Sequence, residues 1–153
     1  MTTKRTIRIQ THTGIKSLKL EIDFDSEDID EITQMTIKTH YQGKEIIAFG
    51  SRYPFEDAFA NLQNKLPESV TLTGCVTCRH GNLCPVGNYP NELYCTKDVS
   101  INCKSDLYFY TENEGECKKR SRQFTDYCDD FKKQEESVFT YNDYLYYLSD
   151  KSR

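Results

Sequence analysis

All seven cysteines of this 153-residue chain fall between Cys75 and Cys128, and the first two stand as Cys75-Val-Thr-Cys78. A CxxC turn presents two thiolates from one tight bend, the usual way a small domain grips a soft ion such as Zn²⁺ at a tetrahedral site. The full spacing is C-x2-C-x5-C-x10-C-x7-C-x13-C-x10-C. Cysteine used as ordinary core filler scatters along a chain. Here it is confined to one region, so that region is expected to be built differently from the residues before it.

The compartment decides how such thiols are read. The start, Met1-Thr-Thr-Lys-Arg-Thr-Ile7, carries no apolar stretch of the signal-peptide kind, and no run approaches the roughly 18 apolar residues of a membrane span. The expectation is a cytoplasmic protein with no membrane segment. In a reducing compartment a cysteine cluster points to metal or redox chemistry before disulfides. An odd number of thiols also leaves one over from any full pairing. The net charge of −4 is spread evenly: residues 1–70 hold nine Lys/Arg against eleven Asp/Glu, and the remainder eleven against thirteen. Neither half is a basic nucleic-acid surface.

Periodicity predicts an α+β fold: an N-terminal antiparallel sheet with one packed helix over residues 1–73, then a cysteine-rich metal-knuckle module over residues 74–153, the two forming one continuous globular unit. Arg5–His12 alternates Ile7 and Ile9 with polar residues, and Ile15–Phe24 sets Leu18, Leu20, Ile22 and Phe24 on one face. This is the period of half-buried strands. Thr11-His-Thr-Gly14 reads as a hairpin turn between them, and Gln42-Gly43 as a second, joining Ile32–Tyr41 to Lys44–Phe49. Pro54 suits the first turn of a helix, with Phe55, Ala58, Phe59, Leu62 and Leu66 on one face and Pro67 as its stop. Ser69–Thr73, Leu93–Cys95 and Asp106–Thr111 read as short strands, and Thr140–Leu148 as a C-terminal helix.

A knuckle needs two further ligands. The residues leave Cys84, Cys95, Cys103, Cys117, Cys128 and His80 as candidates. Few large apolar side chains lie in 74–95, so metal binding is the expected source of order there.

The stretch Phe55-Glu-Asp-Ala-Phe59 … Leu66-Pro67 … Cys75-Val-Thr-Cys78-Arg-His-Gly-Asn82 … Pro85-Val-Gly-Asn88 … Glu92-Leu-Tyr-Cys95 resembles small uncharacterised bacterial cysteine-rich proteins. The ending Tyr127-Cys128-Asp-Asp-Phe131 is similar to the last ligand turn of such proteins. The resemblance covers residues 55–131 and implies a Cys₄ site of Cys75, Cys78, Cys95 and Cys128 holding a structural Zn²⁺. It implies no activity. Cys103 and Cys117 remain rivals for the fourth position. Cys84, Cys103 and Cys117 otherwise read as small buried hydrophobes. An iron–sulfur cluster is an alternative, although the spacing matches no ferredoxin pattern.

No catalytic constellation is expected. His12, His40 and His80 are the only histidines, and nothing in the sequence brings His40 to a thiol. The acidic run Glu21–Glu31 lacks the glycine of a calcium loop and reads as a solvated hairpin end or as a docking edge for a basic partner. Lys118–Arg122 reads as a charge-balanced surface loop. The resulting expectation is a non-enzymatic, metal-stabilised protein-interaction module with a protein partner, no nucleic acid and no membrane. The acidic run and Tyr141–Tyr147 are its expected contact surfaces. A bacterial toxin-neutralising immunity protein and a thiol-redox or iron–sulfur protein are the alternatives from other classes.

Overall fold

Strict apolar–polar alternation organises the first part of the chain into strands. The computed structural model describes residues 1–85, 93–135 and 137–142. It divides into two units, one of Met1–Thr73 and one beginning at Gly74. In the first, strands β1 (Thr2–Thr11), β2 (Gly14–Phe24), β3 (Met35–Tyr41) and β4 (Lys44–Gly50) precede helix α1 (Pro54–Lys65) and the short β5 (Thr71–Leu72). They form one curled antiparallel sheet in the order β4-β3-β2-β1-β5. The fold is α+β, as the sequence predicts.

Two-residue turns set the register. Thr11 pairs with Gly14 across His12-Thr13, and Tyr41 with Lys44 across Gln42-Gly43. Gln42 and Gly43 both have positive φ, 51° and 78°. This is the left-handed geometry that matches a two-residue turn to the twist of its strands. With register fixed, Ile7, Ile9, Leu18, Leu20, Ile22, Met35, Ile37 and Ala48 all face inward and are buried. Lys4, Thr6, Lys19, Glu21, Lys38 and His40 cover the opposite, exposed face.

Helix α1 packs on the inner face through Phe55, Ala58, Phe59 and Leu62, all buried. Pro54 occupies its first turn. The Asp57 carboxylate accepts hydrogen bonds from the N–H groups of Arg52 (3.1 Å) and Tyr53 (3.2 Å) just before it. The helix starts hard against β4: a Cβ on Gly50 would stand 2.1 Å from the Pro54 carbonyl oxygen and 2.7 Å from the Ala58 nitrogen. Both are backbone atoms. Gly50→Ala is therefore expected to lower stability by about 2–3 kcal/mol, as overpacking does when the neighbour cannot yield; urea unfolding measures it.

The same helix lies along part of the outer edge of the sheet. Lys65 Nζ donates to the Ile47 carbonyl and Asn61 Nδ2 to the Phe49 carbonyl, both at 2.6 Å. These are carbonyls that β4 turns away from β3. Edge strands left open are templates for unwanted pairing, and α1 takes up two outward carbonyls of this one.

In the second unit, β6 (Gly81–Asn82), β7 (Leu93–Cys95) and β8 (Ser121–Arg122) make a small sheet in the order β6-β7-β8. Helices α2 (Leu107–Glu112) and α3 (Glu114–Arg120) lie between β7 and β8 in the chain. Among its described residues the buried apolar ones are few and include Val76, Leu93, Tyr94, Leu107 and Phe124.

Two expectations are corrected here. Asp106–Thr111 is not a strand: a 3₁₀ turn at Lys104–Asp106 runs directly into α2. Leu107 alone is buried there while Tyr108 and Phe109 stay exposed, so the run has no alternating face to lay against a sheet. Thr111 Oγ1 instead donates back to the Leu107 carbonyl at 3.1 Å. Lys118–Arg122 is not a loop. It forms the end of α3 and the start of β8, and Arg120 is buried. Asn113 caps α3 by accepting from Glu116 N–H at 3.1 Å, with acidic residues in the first turn and basic ones in the last. That order complements the helix dipole. The expected strand at Ser69–Thr73 is trimmed to β5. The predicted helix Thr140–Leu148 lies mostly outside the described residues; Thr140–Asn142 are irregular. No helix among the described residues is long and apolar enough to cross a membrane.

Candidate metal centre

Three segments of the second unit meet around the CxxC turn. The turn itself is a 3₁₀ bend, Cys75–Thr77. It closes with the N–H of Cys78 donating to the Cys75 carbonyl at 3.2 Å and that of Gly81 to the Cys78 carbonyl at 3.0 Å. A Cβ on Gly81 would lie 2.2 Å from the Cys75 carbonyl oxygen. Only glycine lets the chain pass so close beneath the knuckle.

Gly81 pairs directly with Cys95, which brings the third cysteine alongside from β7. The segment carrying Cys128 is drawn in by backbone bonds. Cys75 N–H donates to the Asp126 carbonyl at 2.6 Å, Val76 N–H to Phe124 at 3.3 Å, and Arg79 N–H to Lys132 at 2.8 Å. Lys97 and Asp130 tie the end of β7 to the same segment through an ion pair of 2.9 Å.

The result is a cavity of about 80 Å³ lined by Cys75, Cys78, Cys95 and Cys128. His80, Lys97, Arg122 and Asp130 also reach its wall. The thiols share this cavity but do not form a coordination shell. Among the described residues, no group of three or more His, Cys, Asp or Glu side chains is arranged to hold a metal ion as it stands. None of the seven cysteines is in a disulfide.

Burial dominates the electrostatics of the two knuckle thiols. Burial pushes the Cys75 thiol up to about 12, and the Asp126 carboxylate and the three neighbouring sulfurs add to the effect. Burial also raises Cys78, but the backbone N–H groups of Lys132 and His80 oppose it by donating to the sulfur. Backbone donors on a sulfur stabilise its thiolate form. His80 is lowered by burial, then by Arg79 and Lys132, so its imidazole is neutral at pH 7.

The other three cysteines stand apart from the cavity. Cys84 is buried, as expected. Cys103 is exposed, with its sulfur 3.0 Å from Ser105 Oγ. This corrects its reading as a buried hydrophobe: it stands at the surface, at the start of a 3₁₀ turn. Cys117 is half-buried on α3, 3.9 Å from the Tyr94 hydroxyl. Of the histidines, His80 reaches the cavity, whereas His40 lies in the first unit beside Glu45 at 3.7 Å.

Arg120 is the supporting residue the sequence conceals. Its side chain is 3% exposed. It donates to Glu116 at 2.8 Å, to the Cys95 carbonyl at 3.1 Å and to both oxygens of Asp98, and it lies 4.7 Å over the Tyr110 ring. It thereby pins α3 to the strand that carries Cys95. Removing one partner from a buried charge network is strongly destabilising because the remaining groups lose their counter-charge. Asp98 is half-exposed, which places the expected cost of Arg120→Ala at the low end, about 3 kcal/mol.

The pH dependence follows from the same pair. Hydrogen bonds from Arg120 hold the Asp98 carboxyl well below the usual carboxylate range, against an opposing effect of desolvation. A carboxylate lowered on folding adds stability that is complete above its unfolded value of about 3.9 and is lost as pH falls below that. Acid titration of the second unit should therefore show a limb starting near about pH 4, and Asp98→Asn should flatten it.

No known family model matches the chain, and no curated protein is recognisably similar to it in sequence.

Proposed function

We propose that Cys75, Cys78, Cys95 and Cys128 bind one structural Zn²⁺, and that the protein is a non-enzymatic binding module stabilised by that ion. The observation that carries the reading is the convergence of four thiols, from three separate segments, on one small cavity. Four sulfurs are a soft donor set that favours zinc over calcium or magnesium. Lys97 and Arg122 on the same wall supply positive charge against the dianion that four thiolates and one Zn²⁺ make. The small apolar core of this unit supports a folding role for the ion, since metal-binding free energy becomes folding free energy.

The ion has to displace the protons from Cys75 and Cys78 and draw the sulfurs inward to about 2.3 Å. The knuckle side is preorganised by the donors on Cys78 and the glycine beneath it. Cys128, exposed on an irregular segment, has the freest approach. Four protein ligands leave no open position for a bound water, the arrangement of structural rather than catalytic zinc.

Elemental analysis of protein purified without added metal tests the reading. One zinc per chain and a colourless solution are the expected results. Absorption near about 400 nm with iron and sulfide would replace zinc by an iron–sulfur cluster. Metal-free protein with unchanged folding would end the proposal.

A further inference from the structure

The two edges of the five-stranded sheet are treated differently. The β4 edge is occupied by Lys65 and Asn61. At the other side, β5 pairs with β1 only at Ile9 and Gln10, and one more bond joins Thr73 N–H to the Arg8 carbonyl at 2.8 Å. Among the described residues, no strand pairs with Thr2–Thr6 on that side.

The register shows which backbone groups are left. Met1 and Phe24 exchange both of their bonds, at 3.1 and 2.9 Å. Odd-numbered residues of β1 therefore bond to β2, and even-numbered ones point the other way. The bond onto Arg8 from Thr73 agrees with this assignment. Thr2, Lys4 and Thr6 consequently turn their N–H and C=O groups to the open edge. A short extended segment could bond there through both groups of each of these residues.

The surroundings select the charge of that segment. Lys4 and Arg5 sit on the edge strand itself. Lys4, Arg5, Lys19 and Lys38, with only Glu21 and Glu45 against them, line a broad groove of about 730 Å³ on the adjoining sheet face. This is a local cationic excess on a chain whose net charge is −4. Cations on an edge discourage self-pairing: a two-fold antiparallel pairing centred on Lys4 would set Lys4 against its own copy. The same cations attract an acidic strand.

We propose that the open edge of β1, residues Thr2–Thr6, accepts an extended acidic peptide segment of a partner protein as an added sixth strand. Backbone bonds to Thr2, Lys4 and Thr6 would supply affinity, and carboxylates at alternate positions, facing Lys4 and Lys19, would supply selectivity. The inference names the partner for the binding-module reading above and rests on that half of it. It does not depend on the metal, so failure here leaves the proposed zinc site standing, and the reverse also holds.

A fluorescein-labelled eight-residue peptide alternating glutamate and valine is the test ligand for the full-length protein. Expected results are saturable binding by anisotropy, weakening with salt, and slowed hydrogen exchange at the Lys4 and Thr6 amides. Thr6→Pro removes an outward N–H without touching the β2 ladder, a substitution that edge strands tolerate; it should weaken binding about tenfold or more. Lys4→Gln should weaken binding with little change in melting temperature, since it removes the charge without setting a second carboxylate opposite Glu21. The same peptide N-methylated at alternate residues should not bind. Equal binding of a lysine–valine peptide, indifference to N-methylation, or no binding at millimolar peptide would each overturn the proposal. So would Lys4 and Thr6 amides already protected in the free protein, because the edge would then be covered by the chain itself or by a second copy.

Discussion

Cys75→Ser is expected to release the proposed zinc and unfold the second unit at room temperature while the five-stranded sheet persists. Serine matches the shape of cysteine, so packing at this half-buried position is nearly unchanged. What is lost, on the proposed reading, is one of the four thiolate ligands. Structural zinc contributes apparent free energies of about 10–16 kcal/mol in small domains near neutral pH, and a unit with so few buried apolar residues has little else to draw on. Loss of one ligand should cost well over about 3 kcal/mol. Amide exchange read segment by segment distinguishes the units: protection should vanish in β6, β7 and β8 and remain in β1–β4. Cys103→Ser is the control, since that thiol is exposed and away from the cavity. Its zinc content and exchange pattern should match the parent protein. Retention of zinc and full protection in Cys75→Ser would refute the ligand assignment.

Phe59→Ala is the second large effect, and it falls on the other unit. Phe59 is 1% exposed and is among the largest fully buried side chains. It lies on the α1 face that closes over the sheet. Truncating a buried Phe to Ala costs about 3–5 kcal/mol through lost transfer energy and the cavity left behind. Urea unfolding of the first unit should move accordingly, with zinc content unaffected. A loss below about 1 kcal/mol would mean that the neighbours collapse into the space or that the face is not buried.

The sheet was legible because its signals are local. Alternation in β1 and β2, the Gln42-Gly43 turn and Pro54 each report on a few neighbouring residues. The knuckle, Cys75 and Cys78, is local in the same way. Cys95 and Cys128 came only by resemblance, because what brings them to the knuckle is long-range: a register between Gly81 and Cys95, and backbone bonds from 75–79 to 124–132. The α2 error has a physical cause. Leu107–Thr111 is rich in aromatic residues that favour strands, but a strand also needs an alternating buried face, and only Leu107 is buried. One signal was present and passed over: Asn113 followed three residues later by Glu116 is a helix-start pattern. Arg120 had only its i,i+4 pairing with Glu116, since its other partners, Asp98 and the Cys95 carbonyl, lie 22 and 25 positions away. Lys97 and Asp130, each two residues beyond a cavity cysteine, follow from strand and turn geometry only once the segments are known to meet.

The capping of β4 by Lys65 and Asn61 has a further consequence when set beside the open stretch of β1. A sheet with two receptive borders can join copy to copy without end, and the product is a fibre. A sheet with one receptive border has a valence of one. It can take a single strand and then has nothing left to offer, so association stops at one-to-one stoichiometry at any concentration. If β1 takes a partner strand as proposed, the helix that completes the core of the first unit also limits assembly size by holding part of the β4 border. Removing that limit by Lys65→Ala with Asn61→Ala should show first as concentration-dependent light scattering, before any change in secondary structure.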